Sequence, residues 1–543
     1  MMTINDASQP HGTNRRDFLK LSLLGGLTGL LAACQNGSSQ VGTPTPTVIP
    51  TQQHPSPTAQ PSPTDADWSA LASSLQGVLV RPGNAQYATA RQLFSTRFDN
   101  ILPAAIAYCA SPTDVQRCLA FARRFNVPFA PRSGGHSYAG YSTSTGLVID
   151  VTRMNTVTVN TSANTATIGA GARLIDVYNS VTQYGLILPA GSCPTVGITG
   201  LTLGGGVGVI SRKFGLTCDN LLSAQVITAS GNMLICDANN NSDLFWALRG
   251  GSGGNFGIVT SFVFQLHPVA ALTLFTLDWP WSVAANMVDA WQNWVSQAPD
   301  ELWSNCLLLS TSDTSSSPLA RVNGVYVGNA GPLNSLLQQL IQRVGSTPTG
   351  NYVFTDSLLE TMMVEAGCYG KSVAACHLPS QNPQGQLQRD TSGAKSDYFT
   401  SLLPRQGIDV LVNAIRQRQS SAALGAGGIG LDAYGGAINR VAPGATAFVH
   451  RNALFSAQYT ANWNANAPAS TITANYSWLD GMWQELRPYT SGGAYQNYID
   501  PRLDTWQQAY YGANLPRLQQ IKASYDPANL FHFAQSIPLP GAS

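Results

Sequence analysis

"PRSGGHSYAGYS", residues 131–142, sets one of the chain's seven histidines, His136, directly behind two glycines. Alone, such a histidine reads as a surface residue of a Gly/Ser loop. Two further stretches change that reading: "GSCPTVGITGLTLGGGVG" (191–208) and "RGGSGGNFG" (249–257). Without a Cβ, loops of this kind let backbone N–H groups approach a ligand closely, which suits a phosphate-bearing cofactor. The dinucleotide fingerprint of a Rossmann unit does not fit, because Gly204, Gly205, Gly206 and Gly208 follow a Pro/Gly-rich loop and not a strand. The competing reading of the same glycines is tight turns and close packing in a β-rich domain.

Around these loops, residues 99–268 alternate short β-rich runs with helical stretches. "SPTDVQRCLAFARRFNVPF" (111–129) opens on a Ser/Thr/Asp cap and carries Val115, Leu119 and Phe121 at helical spacing. "GLVIDVTRMNTVTVNTSANTATIGAGA" (146–172) reads as strands broken at Asn and Gly, and "RLIDVYNSVTQYG" (173–185) as a helix ended by Gly185. At 543 residues and 44% hydrophobic content the chain can bury several cores, so about two to four domains are expected. Only 10% of residues are charged, and the formal net charge is +1. No basic field gathers phosphate backbones, which excludes nucleic acid as an expected partner.

Beyond Cys34 stand eight cysteines: Cys109, Cys118, Cys193, Cys218, Cys236, Cys306, Cys368 and Cys376. They form no C-x-x-C pair and no H-E-x-x-H accompanies them, so no metal site is expected. Cys368 and Cys376 are the closest pair in sequence, but spacing does not fix connectivity. If one cysteine has a separate task, seven remain, and at least one thiol stays free and buried.

Residues 14–34, "NRRDFLKLSLLGGLTGLLAAC", set Arg15 and Arg16 before an apolar run too short to span a bilayer and end in small residues and Cys34. The pair resembles a twin-arginine export signal and "LAAC" a lipobox whose cysteine is lipidated. Residues 1–33 are therefore expected to be a signal peptide. The Pro/Thr/Ser-rich residues 34–66 are expected to be an extended tether.

The motifs "PRSGGHSYAGYS", "GSCPTVGITGLTLGGGVGVISRKFGLTCDNLL", "DLFWALRGGSGGNFGIVTSFVFQLHPV" and the C-terminal "NYIDPRLDTWQQAYYGANLPRLQQIKASYDPANLFHFAQSIP" resemble the berberine bridge enzyme-like flavoprotein oxidases, which have the vanillyl-alcohol-oxidase (PCMH) type of FAD-binding fold. The resemblance implies an α+β architecture in three pieces. A PCMH-type FAD domain spans 67–268, and a substrate domain with an antiparallel sheet backed by helices spans 269–488. Residues 489–543 return to complete the FAD domain, where Asn514 can cap a helix through Leu518 and Ile521.

The resemblance also implies FAD bound bicovalently, through His136 and Cys193. A neutral imidazole and a thiolate are side chains able to attack an electron-poor isoalloxazine ring. Arg132, Ser133, Gly134, Gly135 and Ser137 would line the FAD site beside His136. Val196, Gly197, Gly200 and Gly205 would do so after Cys193, with Gly257, Ile258, Val259 and Asn497 from later segments. Where many relatives carry a flavin-bonding histidine in "G-G-H", this chain has Leu201, so backbone amides are expected to serve charge near flavin N1 and O2. Tyr498 matches the family's general base, and Gln458 the position that orients substrate.

The implied reaction is hydride transfer from a hydroxyl-bearing carbon of a sugar, oligosaccharide or phenolic compound, with molecular oxygen as acceptor and hydrogen peroxide as product. The resemblance also implies that a side chain as small as Val196 at this position leaves oxygen a path to the flavin. Tailoring of a secondary metabolite and a catalytically silent, lipid-anchored flavin-fold binder are the other classes consistent with the residues. Trp279, Trp281, Trp463, Trp478 and Trp483 suit sugar rings and polycyclic aromatics equally. A tyrosine base also implies activity rising toward alkaline pH, because an ordinary phenol has a pKa of about 10 and Arg502 is the nearest cation in sequence once Arg487 is set aside.

Overall fold

The structure is a computed structural model, and it describes residues 62–541. The expected signal peptide and nearly all of the expected tether lie outside the described residues. The first helix among the described residues, Asp65–Ser74, begins two residues ahead of the expected domain start, because Thr64 and Asp67 close a reciprocal cap at its N-terminus. Trp68 and Leu71 anchor it in the core.

A four-stranded sheet follows, made of β1 (Val78–Val80), β2 (Ala105–Tyr108), β3 (Phe129–Arg132) and β4 (Leu147–Asp150) in the order β1-β2-β4-β3. The helix Pro112–Phe125 crosses from β2 to β3. Ser111 accepts the Asp114 amide at its start, Pro112 fills its first turn, and Asn126, at φ 50°, ends it in the left-handed region. Strand β4 slots between β2 and β3, parallel to both, and places the rim of the His136 loop at the end of β3.

A five-stranded antiparallel sheet in the order β5-β6-β10-β8-β9 completes this half: β5 (Val157–Asn160), β6 (Thr165–Gly169), β8 (Leu221–Thr228), β9 (Met233–Asp237) and β10 (Gly257–Gln265). The short strands β7 (Leu186–Ile187) and β11 (His267–Pro268) pair beside it.

Residues 272–462 build a seven-stranded antiparallel sheet: β12 (Leu272–Trp279), β13 (Leu302–Ser310), β14 (Leu319–Val327), β15 (Gly350–Asp356), β16 (Ser392–Phe399), β17 (Gly427–Ala433) and β18 (Phe455–Asn462). Their order is β15-β12-β14-β13-β17-β18-β16. The helices Ala284–Val295, Arg405–Gln419 and Ala469–Leu486 pack on the sheet. Alternation along β18 follows: Ala457 and Tyr459 are fully buried, whereas Gln458 is half-buried and opens on a cavity.

The final segment returns to the first half. Asn514 occupies the N-cap position of the helix Leu515–Tyr525, yet its side chain makes no cap bond. It donates instead to the carbonyls of Pro443 (2.9 Å) and Thr446 (3.2 Å) and so ties the two halves together. Lys522 and Asp526 form a fully buried ion pair at 2.7 Å, and Lys522 also donates to the Asn255 carbonyl at 2.8 Å, in the third glycine loop. Among the described residues, no helix is long and apolar enough to cross a membrane.

Candidate active site

A cavity of about 1210 Å³ opens where the glycine loops of the first half meet the free face of the seven-stranded sheet. The glycines have a specific reason. A Cβ on Gly134 would lie 2.2 Å from the Gly197 nitrogen, and one on Gly197 would lie 2.3 Å from the Gly134 nitrogen. The His136 and Cys193 loops therefore touch backbone to backbone, which only glycine permits. Gly200 has nothing within 4 Å of its Cβ direction and leaves room for a ligand.

His136 and Cys193 flank one hydroxyl. The His136 Nε2 and Thr195 Oγ1 are 2.8 Å apart, and the Cys193 Sγ and the same oxygen are 4.0 Å apart. Phe94 stacks on the His136 ring at 4.1 Å. Burial first, and Arg173 second, hold His136 down at about 3, so its imidazole is neutral and nucleophilic. Burial pushes the Cys193 thiol up, while the Thr195 hydroxyl and the amides of Thr195 and Val196 pull it back toward thiolate.

The remaining expected residues can now be placed. Arg132, Ser133, Gly134, Gly135 and Ser137 line the cavity beside His136, and Val196, Gly197 and Gly200 line it beside Cys193. Gly257, Ile258 and Val259 enter from the start of β10, and Asn497 from the returning segment. Gly205 is not among the cavity-lining residues. At φ 114° it makes a turn, and its Cβ would meet the Phe448 ring at 2.7 Å, so packing, not cofactor contact, explains it. Leu201 lines the cavity, and its carbonyl accepts the Asn497 amide at 3.0 Å. Asn497 also donates to the Tyr495 hydroxyl (2.9 Å), which accepts the Gly206 amide (3.0 Å), so the returning segment is bolted to the second glycine loop.

The cavity fits FAD on chemical grounds. Arg132 Nη1, Gln496 Oε1 and Asn529 Oδ1 are buried without a hydrogen-bond partner, and all three residues line it. Native interiors rarely leave such atoms orphaned unless a ligand or water serves them. Arg132 is held in place by an ion pair with Asp150, its register partner on β4.

The sheet supplies the other wall. A polar row crosses it in register: Asn323, Asn305, Asp432, Ser456 and Tyr398. Asn305, Asn323 and Asp432 line the cavity, as do Trp303, Gln458 and Thr460. Asn305 Oδ1, Asn323 Oδ1 and Trp303 Nε1 are buried and unpartnered. Gln458 donates to the Tyr138 hydroxyl at 3.0 Å, and Tyr138 stacks on Tyr498 at 5.5 Å. Burial, followed by Asp432, Tyr138, Tyr495 and Tyr434, pushes the Tyr498 phenol well above its ordinary range. Arg502 does not reach it, since its guanidinium pairs with Asp480.

Sequence reasoning missed Tyr138, Trp303, Asn305, Glu365 and Asp432. Tyr138 lay inside the first quoted motif, but strand residues carry no local signal until their register is known. The five tryptophans singled out in the sequence are absent from the cavity wall. Trp279 and Trp478 donate to the carbonyls of Ser346 (2.9 Å) and Ala414 (3.1 Å), while Trp483 sits under Lys395 and Arg487. Cys368 and Cys376 form a disulfide; Cys109, Cys118, Cys218, Cys236 and Cys306 are free and buried, and Cys193 is free and half-buried.

Comparison with known proteins agrees with this geometry. The FAD binding domain family matches residues 103–237, and the Berberine and berberine like family matches residues 494–538. An uncharacterized FAD-linked oxidoreductase of Bacillus subtilis, YgaK, is 34% identical over 86% of this chain and 98% of its own. The structure of BBE-like 1 from Physcomitrella patens superimposes with a TM-score of 0.79 at 32% identity, over 87% of this chain and 99% of that one. A xylooligosaccharide oxidase from Myceliophthora thermophila, solved with xylobiose, gives 0.76 at 28% identity over the same shares. With its paired glycine loops, a cavity suited to FAD and the returning C-terminal segment all in place, the chain belongs to the berberine bridge enzyme-like family of FAD-linked oxidoreductases.

Proposed function

We propose that the protein is an exported oxidase that oxidises a hydroxyl-bearing carbon of an oligosaccharide, with FAD linked to both His136 and Cys193 and oxygen as electron acceptor. The observation that carries the substrate class is the cavity wall: two buried amide oxygens (Asn305, Asn323) and one indole N–H (Trp303) without partners. A polyhydroxylated ligand offers both donors and acceptors to such a wall, whereas an apolar aromatic would leave them unserved at a cost of about 1–3 kcal/mol each. The similarity to a xylooligosaccharide oxidase supports the same class. Arg15, Arg16 and "LAAC" support export with a lipid on Cys34 as the membrane anchor.

When bound, FAD would supply the hydride acceptor and the electron path to oxygen. The chain's own residues handle the hydroxyl proton. Gln458 commits its Nε2 to Tyr138 and leaves its amide oxygen to orient a substrate hydroxyl. Burial first, and then a carboxyl and phenols as neighbours, disfavour a free Tyr498 phenolate. Its proton would then move in step with the substrate proton to an acceptor, and Asp432, a cavity-lining carboxyl that burial raises to about 6, is the group we assign to that task. Asp432, in place of a tyrosinate, then governs how activity rises with pH.

A peroxide-release screen of the purified protein with xylobiose, cellobiose, chitobiose and coniferyl alcohol tests the reading. Peroxide from a disaccharide, with bleaching of the flavin and recovery in air, is the expected result. Turnover of coniferyl alcohol alone would discard the sugar assignment, and a flavin that no compound bleaches would favour the silent binder.

A further inference from the structure

One buried hydroxyl stands between His136 and Cys193. Thr195 is 1% exposed, and its Oγ1 lies 2.8 Å from His136 Nε2 and 4.0 Å from Cys193 Sγ. Its loop has little freedom. The Ile175 amide donates to the Pro194 carbonyl (3.2 Å) and the Leu174 amide to the Val196 carbonyl (3.0 Å), which docks Thr195 from both sides on the start of the helix Leu174–Thr182. The imidazole is held as firmly. Phe94 stacks on the ring at 4.1 Å, and the Phe94 amide donates to the carbonyl of Gly135, the residue before His136, at 3.1 Å. A hydroxyl has one hydrogen to give, so it cannot donate to both neighbours. The sulfur side decides which one receives it. The backbone amides of Thr195 and Val196 favour the Cys193 thiolate, and an amide can only donate, so the sulfur acts as an acceptor and the hydroxyl hydrogen belongs to it. Oγ1 is then left to accept from His136, whose Nε2 carries the hydrogen of the ring. Burial, and Arg173 next, keep that ring neutral against the opposing pull of the Thr195 backbone. In a neutral imidazole the second nitrogen, Nδ1, holds the lone pair.

We propose that Thr195 is a positioning residue for flavin attachment: by accepting the Nε2 hydrogen of His136 and giving its own to Cys193, it leaves Nδ1 and the sulfur as the two nucleophiles. The inference rests on the reading that FAD is linked to both residues. Attachment at His136 forms one C–N bond and breaks one C–H bond of the flavin and the N–H bond of the ring. The two protons and two electrons released go to oxygen, the acceptor already proposed, as hydrogen peroxide. The departing ring proton sits on Nε2, in the hydrogen bond to Oγ1, on the opposite side of the imidazole from the new bond. Attachment at Cys193 balances in the same way, with a C–S bond formed and the S–H and one flavin C–H broken. The hydroxyl thus serves both links without touching the bond that forms, as the partners that fix the tautomer of a metal-binding histidine do.

The test compares the purified parent with Thr195→Val, which keeps the side-chain shape without the hydroxyl, Thr195→Ala, which loses both, and Thr195→Ser, which keeps the hydroxyl. Flavin retained after denaturation, followed by mass mapping of the flavin-bearing peptides, reads the two links separately. NMR of the parent's histidyl-flavin peptide reads which ring nitrogen is bonded. The parent should carry flavin on both residues, with the His136 bond on Nδ1. In Thr195→Val and Thr195→Ala the share of chains linked at His136 should fall by ~10-fold or more, as when the partner that sets a histidine tautomer is removed. Cys193 keeps its two backbone amides and should retain its link in these variants. Thr195→Ser should restore the His136 link. A parent bonded through Nε2, or a variant without the hydroxyl that is linked at His136 as fully as the parent, overturns the proposal. So does a Thr195→Ser protein no better linked than Thr195→Val, which would leave Thr195 a matter of shape alone. A parent that carries no flavin on His136 refutes the reading of two links itself, and that result is told apart because it needs no variant.

Discussion

Replacing Tyr498 by Phe removes one oxygen from the centre of the site and little else. The ring keeps its stacking on Tyr138 at 5.5 Å and its edge contact with Tyr495 at 4.9 Å, so fold and flavin attachment should survive. On the proposed mechanism, what disappears is the route from the substrate hydroxyl to Asp432. Loss of a positioned proton-transfer group typically slows reaction by 10²- to 10⁴-fold, which at about 1.36 kcal/mol per tenfold corresponds to roughly 2.7–5.4 kcal/mol of barrier. Anaerobic stopped-flow mixing isolates the reductive step from reoxidation and should place the whole loss there. The pH dependence carries a second check. Asp432 accepts a proton only when ionised, so the parent's reduction rate should rise as pH increases through about 6. It should not climb again toward 10, since the Tyr498 phenol keeps its proton throughout that range. A phenylalanine variant that reduces its flavin as fast as the parent would remove Tyr498 from the mechanism, and a rate that rises only near pH 10 would restore the free phenolate.

Four further outcomes follow from the same geometry. His136→Ala should retain flavin through Cys193 alone, seen as a single flavin-bearing peptide after proteolysis; release of all flavin on acid precipitation of the parent would refute both links. Gln458→Ala loses orientation without losing the proton acceptor, so its reductive rate should fall less than that of Tyr498→Phe in the same stopped-flow measurement. Val196 lines the cavity two positions beyond Pro194, and Val196→Ile adds one methylene to that wall. Reoxidation in oxygenated buffer should slow while reduction holds, since one added methylene in a packed site costs about 1–3 kcal/mol. Lys522→Met strands Asp526 in the interior, and a thermal or denaturant melt should show a loss of about 3–5 kcal/mol, the usual result of breaking a buried pair.

The parts of this site that were legible in the sequence are those whose chemistry is local. His136 and Cys193 sit in loops whose glycines advertise close backbone approach, and the contact between Gly134 and Gly197 shows why both loops need them. Gly205 carries the same composition signal for a different reason, a turn packed under Phe448, and no single-sequence argument separates the two. The sheet wall was illegible because it is a matter of register. Asn323, Asn305 and Asp432 come from three strands, the last more than a hundred residues of chain beyond the other two, and become neighbours only through pairing. Tryptophans misled for a related reason: they mark large buried surfaces, and none of the five singled out lines the cavity, which Trp303 does. The wall of the cavity is therefore written in long-range pairings: the glycine loops show their close approach in local composition, whereas the polar row of the sheet exists only once its strands are in register.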